Sequence, residues 1–217
     1  MSIDVFMEHF PEWELCLALE VACQAKRGKL QELLKARLFV GGSEGPKEST
    51  LEQLFSPSPS LSGIDHQRGL IWRDAERWGF EKEHFDQTYW TLRPDFIIDD
   101  LASQTLVLLE AKGGSLPNNY WKQERLKESK YDDFLKEAKT LKSKGLFFII
   151  PQKFQSECST FMNRLASSLD GIMRGWFLWE DLMPVINDEL MRAVVDELIK
   201  ETKGLKILRD WEANKRT

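Results

Sequence analysis

The order of patterned segments predicts an α/β fold, with a short mixed central sheet flanked by helices. Three apolar runs of strand length, Phe96-Ile97-Ile98, Leu106-Val107-Leu108-Leu109 and Leu146-Phe147-Phe148-Ile149-Ile150, are the first observation. The second is that a helix-period segment, rather than a tight turn, separates the last two runs. The third is that breaks rich in glycine and proline punctuate the rest. Together these suit helices packed on a sheet better than a coiled coil or a purely helical bundle.

Taken in order, Pro11 to Leu38 reads as one or two helices, because Leu15, Leu19, Ala22, Cys23, Leu30, Leu33 and Leu34 form an intermittent apolar stripe that Gly28 could interrupt. Gly41 to Gly63 is loop-like, with a helical turn around Leu51-Phe55. Ser56-Pro57-Ser58-Pro59-Ser60 cannot continue a regular helix or central strand. A helix is predicted from His66 to Trp78, ending near Gly79. A strand from Phe85 to Leu92 is predicted to lead into the Asp95 strand, with the next strand at Thr105 to Lys112. Asp99 to Gln104 forms the polar turn between the last two. A long helix follows between Trp121 and Lys144, its apolar side made by Tyr131, Phe134, Leu135, Ala138 and Leu141, and Gly145 stops it. Phe154 to Leu169 is expected to be helical, Met173 to Trp179 extended, and Asp188 to Thr202 helical.

A chain of 217 residues is long enough for one substantial core. The segments divide it into an N-terminal helical part and flexible loop (1–62), a central core (63–184) and a C-terminal helical extension packed on that core (185–217). No apolar stretch approaches a membrane span, and the N-terminus has no basic-then-hydrophobic secretory pattern, so the expectation is an intracellular soluble protein without a membrane partner. Cys16, Cys23 and Cys158 are too few for a disulfide scaffold. Cys16 and Cys23 read as buried thiols on a helix face, and His9, His66 and His84 lack zinc-type spacing. The long N-terminal helical segment and tryptophan-rich C-terminal region suit a homodimer or protein interface as well as they suit core packing.

The net charge is −5, but residues 101–153 carry nine lysines and one arginine against six acidic residues, a local +4 that leaves −9 elsewhere. A locally basic surface attracts phosphate even on an acidic protein. A solvated lysine-rich helix accounts for the same charges.

Chemistry gathers at Arg93-Pro94-Asp95 and, fifteen residues after the aspartate, Glu110-Ala111-Lys112. Adjacent strands would bring Asp95 and Glu110 together, and strand alternation puts Glu110 and Lys112 on one face. Two hard oxygen ligands beside an ammonium suit a magnesium-dependent attack on a phosphodiester. The plainer reading has Asp95 capping a turn and Glu110 and Lys112 forming an exposed pair.

Pro94-Asp95 followed by Glu110-Ala111-Lys112 resembles the signature of the restriction-endonuclease-like, or PD-(D/E)xK, nuclease superfamily, a proline-aspartate pair followed by an acidic residue, any residue and lysine. The resemblance covers roughly the central third of the chain. It implies a restriction-endonuclease-like core, with Asp95, Glu110 and the Ala111 carbonyl holding Mg2+, for which Mn2+ could substitute, and Lys112 orienting or activating the attacking water. Similar nucleases frequently add an acidic residue from an upstream helix; Glu76 is the choice here and Glu20 its rival. Arg93, Lys122, Gln123, Lys127 and Lys130 are candidates for contact with the substrate backbone. Trp121 could stack on a base, and Tyr131 could orient the site, although core packing with a wet hydroxyl is favoured.

The expected activity is thus metal-dependent endonucleolytic hydrolysis of nucleic acid, with DNA favoured. The rivals are an RNA endonuclease of the same fold and a non-catalytic nucleic-acid-binding or structural module. His66 or His84 keeps a cap-cleaving viral arrangement in view, although Glu110-Ala111-Lys112 fits the DNA-processing pattern better.

Overall fold

Strands form where the chain is apolar on both sides, and here the two sides build two separate cores. The computed structural model describes residues 19, 23, 27–42, 44–55, 72–89, 92, 94–100, 102–111, 130–166 and 171–186. Its elements run α1 (Arg27–Lys35), β1 (Leu38–Val40), β2 (Lys47–Ser49), α2 (Leu51–Phe55), α3 (Trp72–Arg77), α4 (Lys82–Thr88), β3 (Phe96–Asp100) and β4 (Thr105–Ala111). After these come α5 (described over 130–137), β5 (Ser143–Ile150), α6 (Gln155–Ala166), β6 (Ile172–Leu178) and α7 (Trp179–Ile186). The result is an α/β fold around one open, mixed sheet of six strands in the order β2-β1-β6-β5-β4-β3.

The three central strands β4, β5 and β6 are parallel, while β3 and the β1–β2 pair join antiparallel at either side. Parallel strands need crossovers, and α5 and α6 lie on the two connections. Alternation then sorts the side chains. Ile97, Leu106, Leu108, Leu146, Phe148, Ile150, Trp176 and Leu178 face the layer of α3 to α6, packing on Trp78, Phe80, Phe85, Tyr89, Phe134 and Cys158. Phe96, Ile98, Val107, Leu109, Ala111, Phe147, Ile149 and Phe177 face the layer of α1, α2 and α7. Burial on both faces is why β4 and the second half of β5 read as unbroken apolar runs rather than alternating ones.

Most strands lie where the sequence placed them, and several stretches differ. The expected strand from Phe85 is the helix α4: Phe85 and Tyr89, four residues apart, share the buried face while Glu83, Asp86 and Gln87 face solvent. The helix expected to reach Lys144 ends at residue 137, and Gly145 lies inside β5, where a Cβ would meet the Phe147 and Phe55 rings. Residues 121–129 lie outside the described part. The segment read as N-terminal helix and loop supplies two strands, β1 and β2, besides α1, and Gly28 falls within α1 rather than breaking it. The turn after β3 is shorter than expected. Asp100 belongs to the strand, and its carboxylate accepts bonds from the Ala102 N–H and the Ser103 hydroxyl to close the hairpin. Residues 188–202 lie outside the described part, whereas α7, which the sequence did not announce, follows β6 directly. Among the described residues no helix is long and apolar enough to cross a membrane.

Cys23 is buried in the α1 layer, and Cys158 is buried under the opposite one. Burial, reinforced by Glu32 and opposed by Lys29, pushes the Cys23 thiol up to about 12. The folded protein therefore keeps this proton where the unfolded chain loses it. The associated stability is present below the ordinary thiol pKa of 9.0 and is lost as pH rises towards 12. Cys23 should resist alkylation at pH 8 in the folded protein and react at once in denaturant, as peptide mass mapping would show. A second expectation concerns β6. A Cβ on Gly175 would stand 2.0 Å from the Phe39 carbonyl oxygen of β1. Gly175→Ala should cost about 3 kcal/mol, at the upper end of overpacking effects, read as a lower urea midpoint.

Candidate functional site

The site grows out of the β3–β4 hairpin. Phe96 pairs with Leu109 and Ile97 with Leu108, so continuing the register by one residue sets Asp95 opposite Glu110. Asp95 is in the bend that precedes β3, just outside the ladder, and is half-buried. The strand pairing stops at Phe96, and the Asp95 carboxylate takes over there: its Oδ2 accepts the Ala111 N–H at 2.7 Å. In extended chain the N–H and C=O of one residue project to the same side. The Ala111 carbonyl is therefore directed to the same edge as Asp95. Pro94 is buried just before this point, where its ring restrains the chain entering the strand.

Glu110 is 4% exposed, at the end of an otherwise apolar β4 face. The register carries its row across the sheet to Phe148 and Trp176, and Trp176 stacks on Phe39 at 5.5 Å and 14°. A carboxylate beside aromatic rings feels its hydrogen-bonding partners more strongly than it would in water, and must have them. One is the Tyr131 hydroxyl, which donates from α5 to Glu110 Oε2 at 3.1 Å. Tyr131 is itself buried in this core, so the core packing favoured from the sequence holds, while its hydroxyl meets the carboxylate rather than solvent.

The next residue, Asp132, makes a second buried contact with the sheet. Arg174 points from β6 into the same layer and is 1% exposed. Its Nε donates to Asp132 Oδ1 at 3.1 Å and its Nη2 lies 3.0 Å from Asp132 Oδ2, a forked pair. Nη1 also donates to the Ile172 carbonyl at 3.2 Å. Neither residue was singled out in the sequence. The available signal was Arg174 itself, a charge inside the strand Ile172–Leu178, since a buried guanidinium demands an acid.

The remaining candidates do not converge on this pair among the described residues. No group of three or more His, Cys, Asp or Glu side chains there could hold a metal ion. Glu76 is exposed on the last turn of α3. Its neighbour Arg77 lies 3.4 Å from Asp99 and accepts a bond from Thr140 through its carbonyl. That anchors the end of α3 near Asp99, about 13 Å along β3 from Asp95. His84 lies 2.7 Å from Glu137, six residues and about 9 Å along α5 from Tyr131. Burial, then a hydrogen bond with Glu137, raises the Tyr89 phenol well above its ordinary range, so it stays a proton donor there. Lys130 is exposed on α5. Glu20, His66, Arg93, Lys112, Trp121, Lys122, Gln123 and Lys127 lie outside the described residues.

Two carboxylates and a carbonyl fit a hard divalent cation. Magnesium is held by one or two carboxylates with water filling an octahedral shell. Fold and site together define an α/β protein with an open mixed sheet and an acidic pair at the edge of its central layer. No family model, curated protein or solved structure matches the chain. Tyr131→Phe should lower stability by about 1.5 kcal/mol, because a buried carboxylate loses a donor, and the urea midpoint would fall accordingly.

Proposed function

We propose that this chain is a divalent-metal-dependent endonuclease that hydrolyses phosphodiester bonds, with DNA the favoured substrate and a restriction-endonuclease-like core. One observation carries the reading: the Asp95 carboxylate bonds to the backbone at Ala111, beside Glu110, in the strand-turn-strand setting that the Pro94-Asp95 and Glu110-Ala111-Lys112 resemblance implies. The β4–α5–β5 order, with β5 parallel to β4, supports the same core. So does the basic balance of residues 101–153, which draws in a phosphate backbone.

Asp95, Glu110 and the Ala111 carbonyl would hold Mg2+ or Mn2+. When bound, the ion supplies Lewis-acid stabilisation of charge on the phosphoryl oxygens and acidifies water. Tyr131 keeps Glu110 oriented by donating to one of its oxygens. The aromatic row beside Glu110 limits water on that flank of the pair. Lys112 follows Ala111 directly and would orient or activate the attacking water. Arg93, Lys122, Lys127 and the exposed Lys130 would meet the substrate backbone.

The deciding experiment offers duplex, single-stranded and branched DNA, and RNA, to the full chain with magnesium or manganese, with and without chelator. Metal-dependent cutting of DNA is expected. Asp95→Ala and Glu110→Ala should each slow it by at least ~100-fold, and Tyr131→Phe by about tenfold, the scale for an outer partner of a metal ligand. Cutting of RNA alone would move the assignment to an RNA endonuclease. Binding without cutting would move it to a non-catalytic module. Undiminished magnesium-dependent cutting by both alanine variants would remove the acidic pair from the chemistry.

A further inference from the structure

We infer that Arg174 and Asp132 are positioning residues for the acidic site, acting on Glu110 through Tyr131; the functional consequence rests on the nuclease reading. Tyr131 and Asp132 are consecutive on α5, and consecutive helical residues diverge by about 100°. They accordingly reach different strands of one sheet. Tyr131 donates to Glu110 on β4, while Asp132 takes the Arg174 fork from β6. β5 lies between these strands, so the two anchors stand roughly 10 Å apart across the sheet. The register sets Arg174 level with Leu146 and Leu108, one same-face step before Glu110.

Phe134 and Leu135 pack α5 onto the sheet without direction, since apolar contacts are non-directional. The two polar contacts, two strands apart, set how the helix is turned within that packing. The fork fixes direction as well as distance, because the planar guanidinium offers two parallel N–H groups to two oxygens. The further bond from Arg174 to the Ile172 carbonyl holds the guanidinium against its own strand. The clamp therefore sets where this turn of α5 rests, and so where the Tyr131 hydroxyl lies. A phenol displaced by 1 Å from 3.1 Å no longer bonds Glu110.

A purely structural role for the pair predicts something different. Buried ion pairs can commonly be exchanged for packed apolar residues without loss of stability. If the pair serves only the fold, Arg174→Met combined with Asp132→Leu should restore everything. If it positions α5, the double variant folds with Tyr131 misplaced.

The test uses the full chain labelled with 13C at the tyrosine ζ carbons, whose three signals, from Tyr89, Tyr120 and Tyr131, are assigned by Tyr→Phe substitution. Glu110→Ala defines the Tyr131 signal without its carboxylate partner. In the double variant the Tyr131 signal should move onto that position. Arg174→Lys, which keeps the charge but loses the fork, should move it the same way and serves if the double variant does not fold. A Tyr131 signal unchanged in a folded variant overturns the inference. In the cleavage assay either variant should lower kcat about tenfold with KM unchanged, and adding Tyr131→Phe should lower it no further, since both act through one contact. Independent, multiplying losses would also overturn it. A wild-type chain that cuts nothing sinks the nuclease reading alone, and the tyrosine signals still decide the positioning role.

Discussion

A slip of β3 by one residue against β4 would turn Asp95 to the opposite side of the sheet from Glu110. The register of this single antiparallel pair is therefore the constraint on which the site depends. Several features hold it. Phe96 and Ile98 are committed to one core and Ile97 to the other, so a slip would exchange both sets at once. The hairpin is closed by Asp100, whose carboxylate accepts from the Ala102 N–H and the Ser103 hydroxyl. Gln104 takes the left-handed conformation at φ 54° to complete the turn. Asp95 then bonds to Ala111 where the backbone ladder ends. A polar site is thus set by apolar sorting on either side of the sheet.

The layer of α3 to α6 carries an unusual charge arrangement for an apolar interior. Glu110, Asp132 and Arg174 are all buried on this side of the sheet. Each isolated charge would be costly there, and each is answered by a hydrogen-bonding group on a different element. Because the answering residues Tyr131 and Asp132 are neighbours on α5, the helix that closes this core also supports the acidic pair. Core packing and site geometry are linked at one helical turn.

Legibility in the sequence followed the range of the forces involved. The strands at Phe96, Thr105 and Leu146 were readable because burial on both faces writes a continuous apolar run into the chain, and the one at Met173 from the apolar residues on either side of Arg174 and Gly175. The short turn of α2 and the start of α6 were readable from local periodicity and breaks. α4 was misread because Phe85 and Tyr89 are aromatic residues that suit a strand as well as a helix, and only packing against Phe80 and Phe134 decides between them. β1 and β2 are three residues each, too short to carry a period of their own. They exist because β6 and β1 offer hydrogen-bonding edges to them in turn.

The sequence by itself determined the composition of the candidate site: an aspartate after proline, and a glutamate fifteen residues on at the end of an apolar strand. Such information is local, carried by side-chain chemistry and period-two burial. The tertiary structure alone decided that Asp95 bonds to Ala111, that Tyr131 serves Glu110, and that Arg174 finds Asp132 forty-two residues away. Those contacts depend on which helix comes to rest over which strand. That choice is made by the packing of two whole cores, and no segment of the chain records it alone.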